Sequence, residues 1–217
     1  MNNKQTTIKD SISLEGVGIH TGKDVKLTFR PAKENTGYIF KRVDLGDKPE
    51  IEALAKYVVN TQRGTTLEKD GVKLKTTEHV LAALVGLEID NILIEINAEE
   101  PPIMDGSSKF FVNALEKAGL KELSSLRKEY IVKDVISFND PDSGSEITLI
   151  PSENYQITTM VDYETKVLGT QNATLTKLSE FKDEFSNART FSFLHEIEML
   201  LENNLIKGGD LNNAIVY

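Results

Sequence analysis

The chain has no cysteine, which removes disulfides, thiolate nucleophiles and Cys-ligated metal together. Histidine is scarce, so His20, His79 and His195 share any metal binding or acid–base chemistry with the carboxylates. No apolar run approaches the roughly 18 residues of a membrane span, and the opening Met-Asn-Asn-Lys-Gln lacks the apolar stretch of a signal peptide. These absences point to a soluble, cytoplasmic protein with no membrane span. An excess of positive charge is also missing. The net charge is −9, with 11 Lys/Arg against 8 Asp/Glu over residues 1–63 and 14 against 26 over residues 64–217. That balance argues against a nucleic-acid partner and requires any anion to be met by a local cluster.

What is present is an ordinary globular composition, 39% hydrophobic and 27% charged over 217 residues. A chain of this length can bury roughly 70% of its unfolded surface, as one large or two small domains. Two extended segments, Gln5–Leu14 and Val25–Pro31, flank the glycine-rich turn Gly16-Val17-Gly18-Ile19-His20-Thr21-Gly22. Tyr38–Val43 is a further strand, and Asp70-Gly71 between Thr65–Glu68 and Val72–Lys75 signals a hairpin. A helix follows, capped by Thr76 or Thr77, with Val80, Leu81, Leu84 and Val85 on its apolar face and Gly86 to stop it. The Ile-rich Asp90–Asn97 reads as a strand buried on both faces. A second helix, Lys109–Ala118, closes at Gly119.

The charged, Ser-containing stretch Leu120–Lys128 is the expected linker. Beyond it the grammar restarts with strands Tyr130–Phe138, Glu146–Pro151 and Gln156–Tyr163, then a helix Thr190–Asn203 with Phe193, Leu194, Ile197, Leu200 and Leu201 on one face. The final Ala214-Ile215-Val216-Tyr217 reads as a strand being entered. The expectation is a fragment that stops inside its second domain.

Thr77-Glu78-His79 at a helix start is the most suggestive local group. Adjacent residues differ by about 100° around the axis, so one can hold a metal while the other manages water on it. A capping Thr beside an ordinary Glu and a half-buried His fits the same residues. His20 either approaches a ligand or pins its turn by hydrogen bonds, and His195, near Glu196 and Glu198, reads as a solvated surface. Asp105-Gly106-Ser107 reads as a turn and cap.

At these residues the sequence resembles the zinc-dependent UDP-3-O-acyl-N-acetylglucosamine deacetylases of Gram-negative lipid A biosynthesis. The ordered motifs are Gly16–Gly22, Arg30-Pro31-Ala32, Thr77-Glu78-His79, Gly86-Leu87-Glu88-Ile89-Asp90-Asn91, Pro102-Ile103-Met104-Asp105-Gly106-Ser107 and Ala188-Arg189-Thr190-Phe191, followed by Gly208-Gly209 and Ala214-Ile215-Val216.

The resemblance implies an α+β fold: two structurally similar two-layer α/β sandwich domains, residues 1–124 and 125–217, packed through their helical layers, the second incomplete. It implies that His79 binds Zn2+, that Glu78 is the general base for the zinc-bound water and that Thr190 stabilises the oxyanion. It also implies substrate contacts from Tyr163 and Glu196 toward the sugar nucleotide, and from Phe191, Ile197, Ile206, Gly209 and Val216 along an acyl passage. The implied substrate is acylated UDP-N-acetylglucosamine. The family's remaining zinc ligands, on a His-Lys-x-x-Asp segment, and its general-acid His are absent, so the fragment is expected to be inactive. In some relatives a fused dehydratase domain follows. Arg63 is expected to touch substrate phosphate or to solvate a loop edge. The rival expectation is a non-catalytic sugar-nucleotide-binding or regulatory module of the same fold.

Overall fold

A computed structural model describes residues 4–217. The fold is α+β, and its described residues form two compact units, one from residues 4–126 with Ser179–Tyr217, the other Arg127–Leu178.

The first unit begins with β1 (Lys4–Ile8), β2 (Ile12–Val17), β3 (Asp24–Pro31), β4 (Tyr38–Arg42), β5 (Glu50–Glu52), β6 (Val58–Asn60), β7 (Thr66–Lys69) and β8 (Val72–Leu74). Then come α1 (Glu78–Gly86), β9 (Ile92–Ile96), α2 (Lys109–Ala118) and β10 (Leu120–Leu126). Five strands make a mixed sheet in the order β2-β3-β9-β4-β5, with only the β4/β9 pair parallel. One face of that sheet carries Val25, Leu27, Phe29, Phe40, Ile92, Ile94 and Ile96, all buried. They share one core with Val80, Ala83 and Leu84 of α1 and with Phe111, Val112 and Leu115 of α2. Phe29 and Phe111 meet edge to face, ring centres 6.4 Å apart.

Burial of apolar surface drives this layering at about 25 cal/mol per Å². The period-2 pattern of β3 and the helical period of α2 each send one face inward. The hairpin β7/β8 turns at Asp70 and Gly71, both with positive φ (51° and 79°), as its Asp-Gly signal requires.

Several expectations fail here for local reasons. Gln5–Leu14 is not one strand, because the chain bends at residues 9–10 between β1 and β2. Asp90–Asn97 is buried on one face only: Leu93 and Glu95 point to the other side, where Glu95 pairs with Arg30 at 2.6 Å. The expected linker begins as a strand, since β10 pairs antiparallel with β1 from Ile8↔Leu120 to Lys4↔Leu126. Thr77 does not cap α1 with a side-chain hydrogen bond, whereas Ser107 Oγ accepts Lys109 N–H at 3.2 Å at the start of α2.

The second unit contains β11 (Ile136–Asn139), β12 (Glu146–Leu149), β13 (Ile157–Asp162) and β14 (Thr170–Leu175). They form two antiparallel pairs, β11/β12 and β13/β14. The first is joined by a turn closed by Gly144 N–H donating to the Asp140 carbonyl at 2.8 Å. No helix lies within Arg127–Leu178.

The chain then returns to the first unit with β15 (Phe191–Ser192), α3 (Leu194–Glu202) and β16 (Ile215–Val216). The sequence groups these residues with a second half, whereas the structure packs them on the first. Lys182 pairs with Glu116 at 2.7 Å, Arg189 Nε donates to the Asp105 carbonyl at 2.6 Å, and Gly208 N–H donates to the Ile19 carbonyl at 3.0 Å.

Thr190 does not open a helix. It precedes β15, which pairs parallel with β16, and α3 starts only at Leu194. The apolar face expected of that helix is also thinner than its spacing suggests: Leu200 is buried, but Leu194 and Leu201 are exposed.

Candidate active site

The start of α1 is stitched to the loop before β7. Thr65 accepts hydrogen bonds at its carbonyl from Thr77 N–H and Thr77 Oγ1, both at 3.2 Å, and its own N–H donates to Glu78 Oε2 at 2.9 Å. A helix start leaves backbone N–H groups unpaired and favours a carboxylate nearby, so Glu78 sits where its charge is stabilised. Just before it, Thr76 has φ 53°, a conformation a β-branched residue rarely adopts. Its hydroxyl donates to the fully buried carboxylate of Glu100 at 3.0 Å. Glu100 also accepts the N–H groups of His20 (3.1 Å) and Thr21 (3.0 Å), so one buried carboxylate ties the glycine-rich turn to the entry of α1.

The other wall comes from residues 190–216. Thr190 N–H donates to the Gly106 carbonyl at 2.7 Å, and Thr190 in turn accepts Ile215 N–H at 3.0 Å. Gly106 has φ 86°, and a Cβ there would lie 2.1 Å from the Asn213 carbonyl oxygen. The Asp105-Gly106 turn is thus one place where the backbone of residues 190–213 approaches closely.

Between these walls lies a cavity of about 470 Å³. Thr76, Glu78, His79 and Thr190 are among its polar lining residues, and Ile19, Ile103, Phe191, Ile197, Leu200 and Val216 among its apolar ones. Burial pushes the His79 imidazole below its ordinary pKa, against the opposing pull of the Glu78 and Asp105 charges. Burial thus favours the neutral ring, whose lone pair can serve a metal.

A family model described as LpxC, UDP-3-O-acyl N-acetylglycosamine deacetylase, matches residues 5–217. The chain belongs to this family. It is 49% identical over 213 residues to the bifunctional enzyme LpxC/FabZ of Bacteroides thetaiotaomicron, covering 98% of this chain and 46% of that protein. The bifunctional enzyme LpxC/FabZ of Porphyromonas gingivalis is 46% identical over 213 residues, with the same two coverages, 98% and 46%. The UDP-3-O-acyl-N-acetylglucosamine deacetylase of Idiomarina loihiensis is 43% identical over 217 residues, covering 98% of this chain and 70% of that one. The chain spans about half the length of the bifunctional relatives it matches.

In this LpxC-family chain, Glu78, His79, Thr190, Phe191, Ile197, Ile206, Gly209 and Val216 line the one cavity. Two of the expected site residues, Tyr163 and Glu196, are not among its lining residues. Tyr163 belongs to the unit Arg127–Leu178, where its N–H donates to the Gly169 carbonyl at 3.0 Å. Glu196 is not part of the lining, and Arg63, which is, holds its carboxylate with both guanidinium NH groups.

His20 also lines the cavity and pins chain segments as well. Its Nδ1 accepts Ile206 N–H at 3.4 Å, which leaves Nε2 as donor to the Arg63 carbonyl at 3.4 Å. His195 is exposed and stacks on Phe193 with ring centres 5.5 Å apart. Thr65, Gly106 and Glu100 were invisible as site supports in the sequence, although Asp105-Gly106-Ser107 marked the place.

Among the described residues no three His, Cys, Asp or Glu side chains form a group that could hold a metal ion. A catalytic zinc takes three protein ligands. His79 supplies one suitable donor, and the described residues do not complete the set.

Proposed function

We propose that the protein containing this chain is a zinc-dependent amide hydrolase that removes acetate from UDP-3-O-acyl-N-acetylglucosamine in lipid A biosynthesis. The observation that carries this reading is one cavity lined by Glu78, His79 and Thr190 together with Phe191, Ile197, Ile206 and Val216.

Glu78 takes the proton of the attacking water. Its carboxylate is aimed for this by the Thr65 N–H bond and by the start of α1. Thr190 donates to the oxyanion that develops on the amide carbonyl, from a backbone already fixed on both sides by Gly106 and Ile215. Phe191, Ile197, Ile206, Gly209 and Val216 receive the acyl chain, each buried methylene contributing about 0.8 kcal/mol. Glu196 and Tyr163 are the contacts proposed for the sugar-nucleotide part of the substrate. His79 would hold the zinc as one ligand, and the described residues do not complete the set.

The organisation proposed for the whole protein is two α/β sandwiches packed through their helical layers, divided near residues 124 and 125, with residues 179–217 lying against the first. The compatible location is the cytoplasm. None of the described helices is long and apolar enough to cross a membrane. The names of the LpxC/FabZ relatives support a fused dehydratase domain downstream. The 217 residues alone are expected to show no turnover.

The test is made on the whole protein. Glu78→Gln should keep near-stoichiometric zinc while losing on the order of 10²–10⁴ in kcat, the range of a general base. His79→Ala should lose the metal. Equal zinc retention in both variants refutes the division of roles, and wild-type protein that binds the sugar nucleotide without releasing acetate supports the non-catalytic module instead.

A further inference from the structure

Arg63 and Glu196 are 133 positions apart, yet they form a two-pronged ion pair at the cavity. One guanidinium nitrogen, NH1, reaches Oε2 at 3.1 Å, and NH2 binds Oε1. Such forks are geometrically specific in a way that a lysine point charge is not. The pairing holds the Glu196 carboxyl below its usual range and the Arg63 guanidinium above its own. Both ends are anchored. Glu196 lies in the first turn of α3 and also accepts Phe193 N–H at 3.3 Å, while the Arg63 carbonyl accepts from His20 Nε2.

What each end controls gives the pair its meaning. Ile197 follows Glu196 directly, and with Leu200 and Leu201 it forms the α3 contribution to the apolar lining. Two residues beyond Arg63, Thr65 N–H holds Glu78 Oε2. The bridge therefore connects the helix an acyl chain would press against with the loop that orients the carboxylate.

We infer that Arg63 is a positioning residue that couples occupancy of the apolar cavity by a long alkyl chain to the placement of Glu78. This rests on the deacetylase reading above and deepens it. A long acyl group holds α3 in place, α3 holds Arg63 through Glu196, and the loop then presents Thr65 N–H to the base. A short acyl group leaves α3 unloaded, and the clamp has nothing to transmit. Chain length is read in kcat as well as in KM.

The pair is partly exposed, and exposed pairs contribute modestly, so the effect is about 1.4- to fivefold. The experiment compares wild type, Arg63→Ala and Arg63→Lys in the whole protein on two substrates, one with a long 3-O-acyl chain and one with 3-O-acetyl. Arg63→Ala should lower kcat on the long-chain substrate about 1.4- to fivefold, with KM nearly unchanged and the acetyl substrate unaffected. Arg63→Lys, which keeps charge and loses the fork, should fall between. An equal loss on both substrates, or a change in KM alone, overturns the coupling.

A second measurement separates this inference from the activity itself. Hydrogen exchange of the amides of residues 60–66 should slow when dodecanoate is added to wild type and should not respond in Arg63→Ala. No protection in wild type, or equal protection in both, refutes the clamp whether or not the protein hydrolyses its substrate. Absence of turnover with exchange protection intact counts against the deacetylase reading alone.

Discussion

Replacing Gly106 by alanine should unseat the wall of the cavity that carries Thr190. The new Cβ would lie 2.1 Å from the Asn213 carbonyl oxygen and 3.2 Å from Thr190 Cγ2. An ordinary carbon–oxygen contact is about 3.3 Å, so backbone must move by roughly 1 Å. Residue 106 also has φ 86°, and a side chain in the left-handed region costs about 1–2 kcal/mol. Overpacking against backbone adds about 1–3 kcal/mol. The expected destabilisation is about 2–5 kcal/mol, a fall of roughly 4–20 °C in Tm for a chain of this size.

Gly71→Ala separates the two contributions, because Gly71 has φ 79° with nothing within 4 Å of its would-be Cβ. It should lose only the conformational part, about 1 kcal/mol. Thermal and denaturant unfolding followed by circular dichroism measures both variants. In the whole protein Gly106→Ala should also lower kcat, since the Gly106 carbonyl accepts Thr190 N–H. Equal losses in the two glycine variants refute the claim that residues 190–213 are seated on this turn.

Gly86→Ala places a Cβ 2.1 Å from Cδ1 of the Phe181 ring; it should cost about 1–3 kcal/mol and speed proteolysis near residues 179–190, with partial rescue by Phe181→Leu, whereas unchanged cleavage contradicts that docking contact. The ion pair of Glu196 gives a pH dependence of fixed sign. Its folded pKa is lowered chiefly by the hydrogen bond from Arg63, so the contribution is fully present above about 4.5 and is lost as pH falls through the lowered value. Because the pair is partly exposed, the stability difference between wild type and Glu196→Gln should stay below about 1 kcal/mol at pH 7 and shrink under pH 4.5. A difference independent of pH assigns it to packing instead.

Parts of this architecture are legible because they are decided by neighbours along the chain. Asp70-Gly71 announces its hairpin, since few residues tolerate the two positive φ angles the turn needs. The amphipathic spacing of Lys109–Ala118 and the glycine after it announce α2 and its end, Gly119 having φ 70°. Glu78 and His79 were placed at a helix start on the same grounds. Leu120–Leu126 misled because its polar residues suit a linker equally well, and its strand exists through pairing with β1, more than a hundred residues earlier. Thr190–Asn203 misled because its apolar spacing is helical, while β16, a later segment, draws Phe191 and Ser192 into a parallel pair.

The sequence by itself determined local conformations, the family motifs and the carboxylate–imidazole pair at one helix start, because each rests on steric and hydrogen-bonding preferences within a few residues. Only the tertiary structure decided that residues 179–217 pack on the first unit, that Thr190 shares a cavity with Glu78 and His79, and that Arg63 meets Glu196. Those meetings depend on how apolar faces bury against one another and on which distant N–H and carbonyl groups pair once they do. Such energies are summed over the folded chain, and no short stretch of residues carries them.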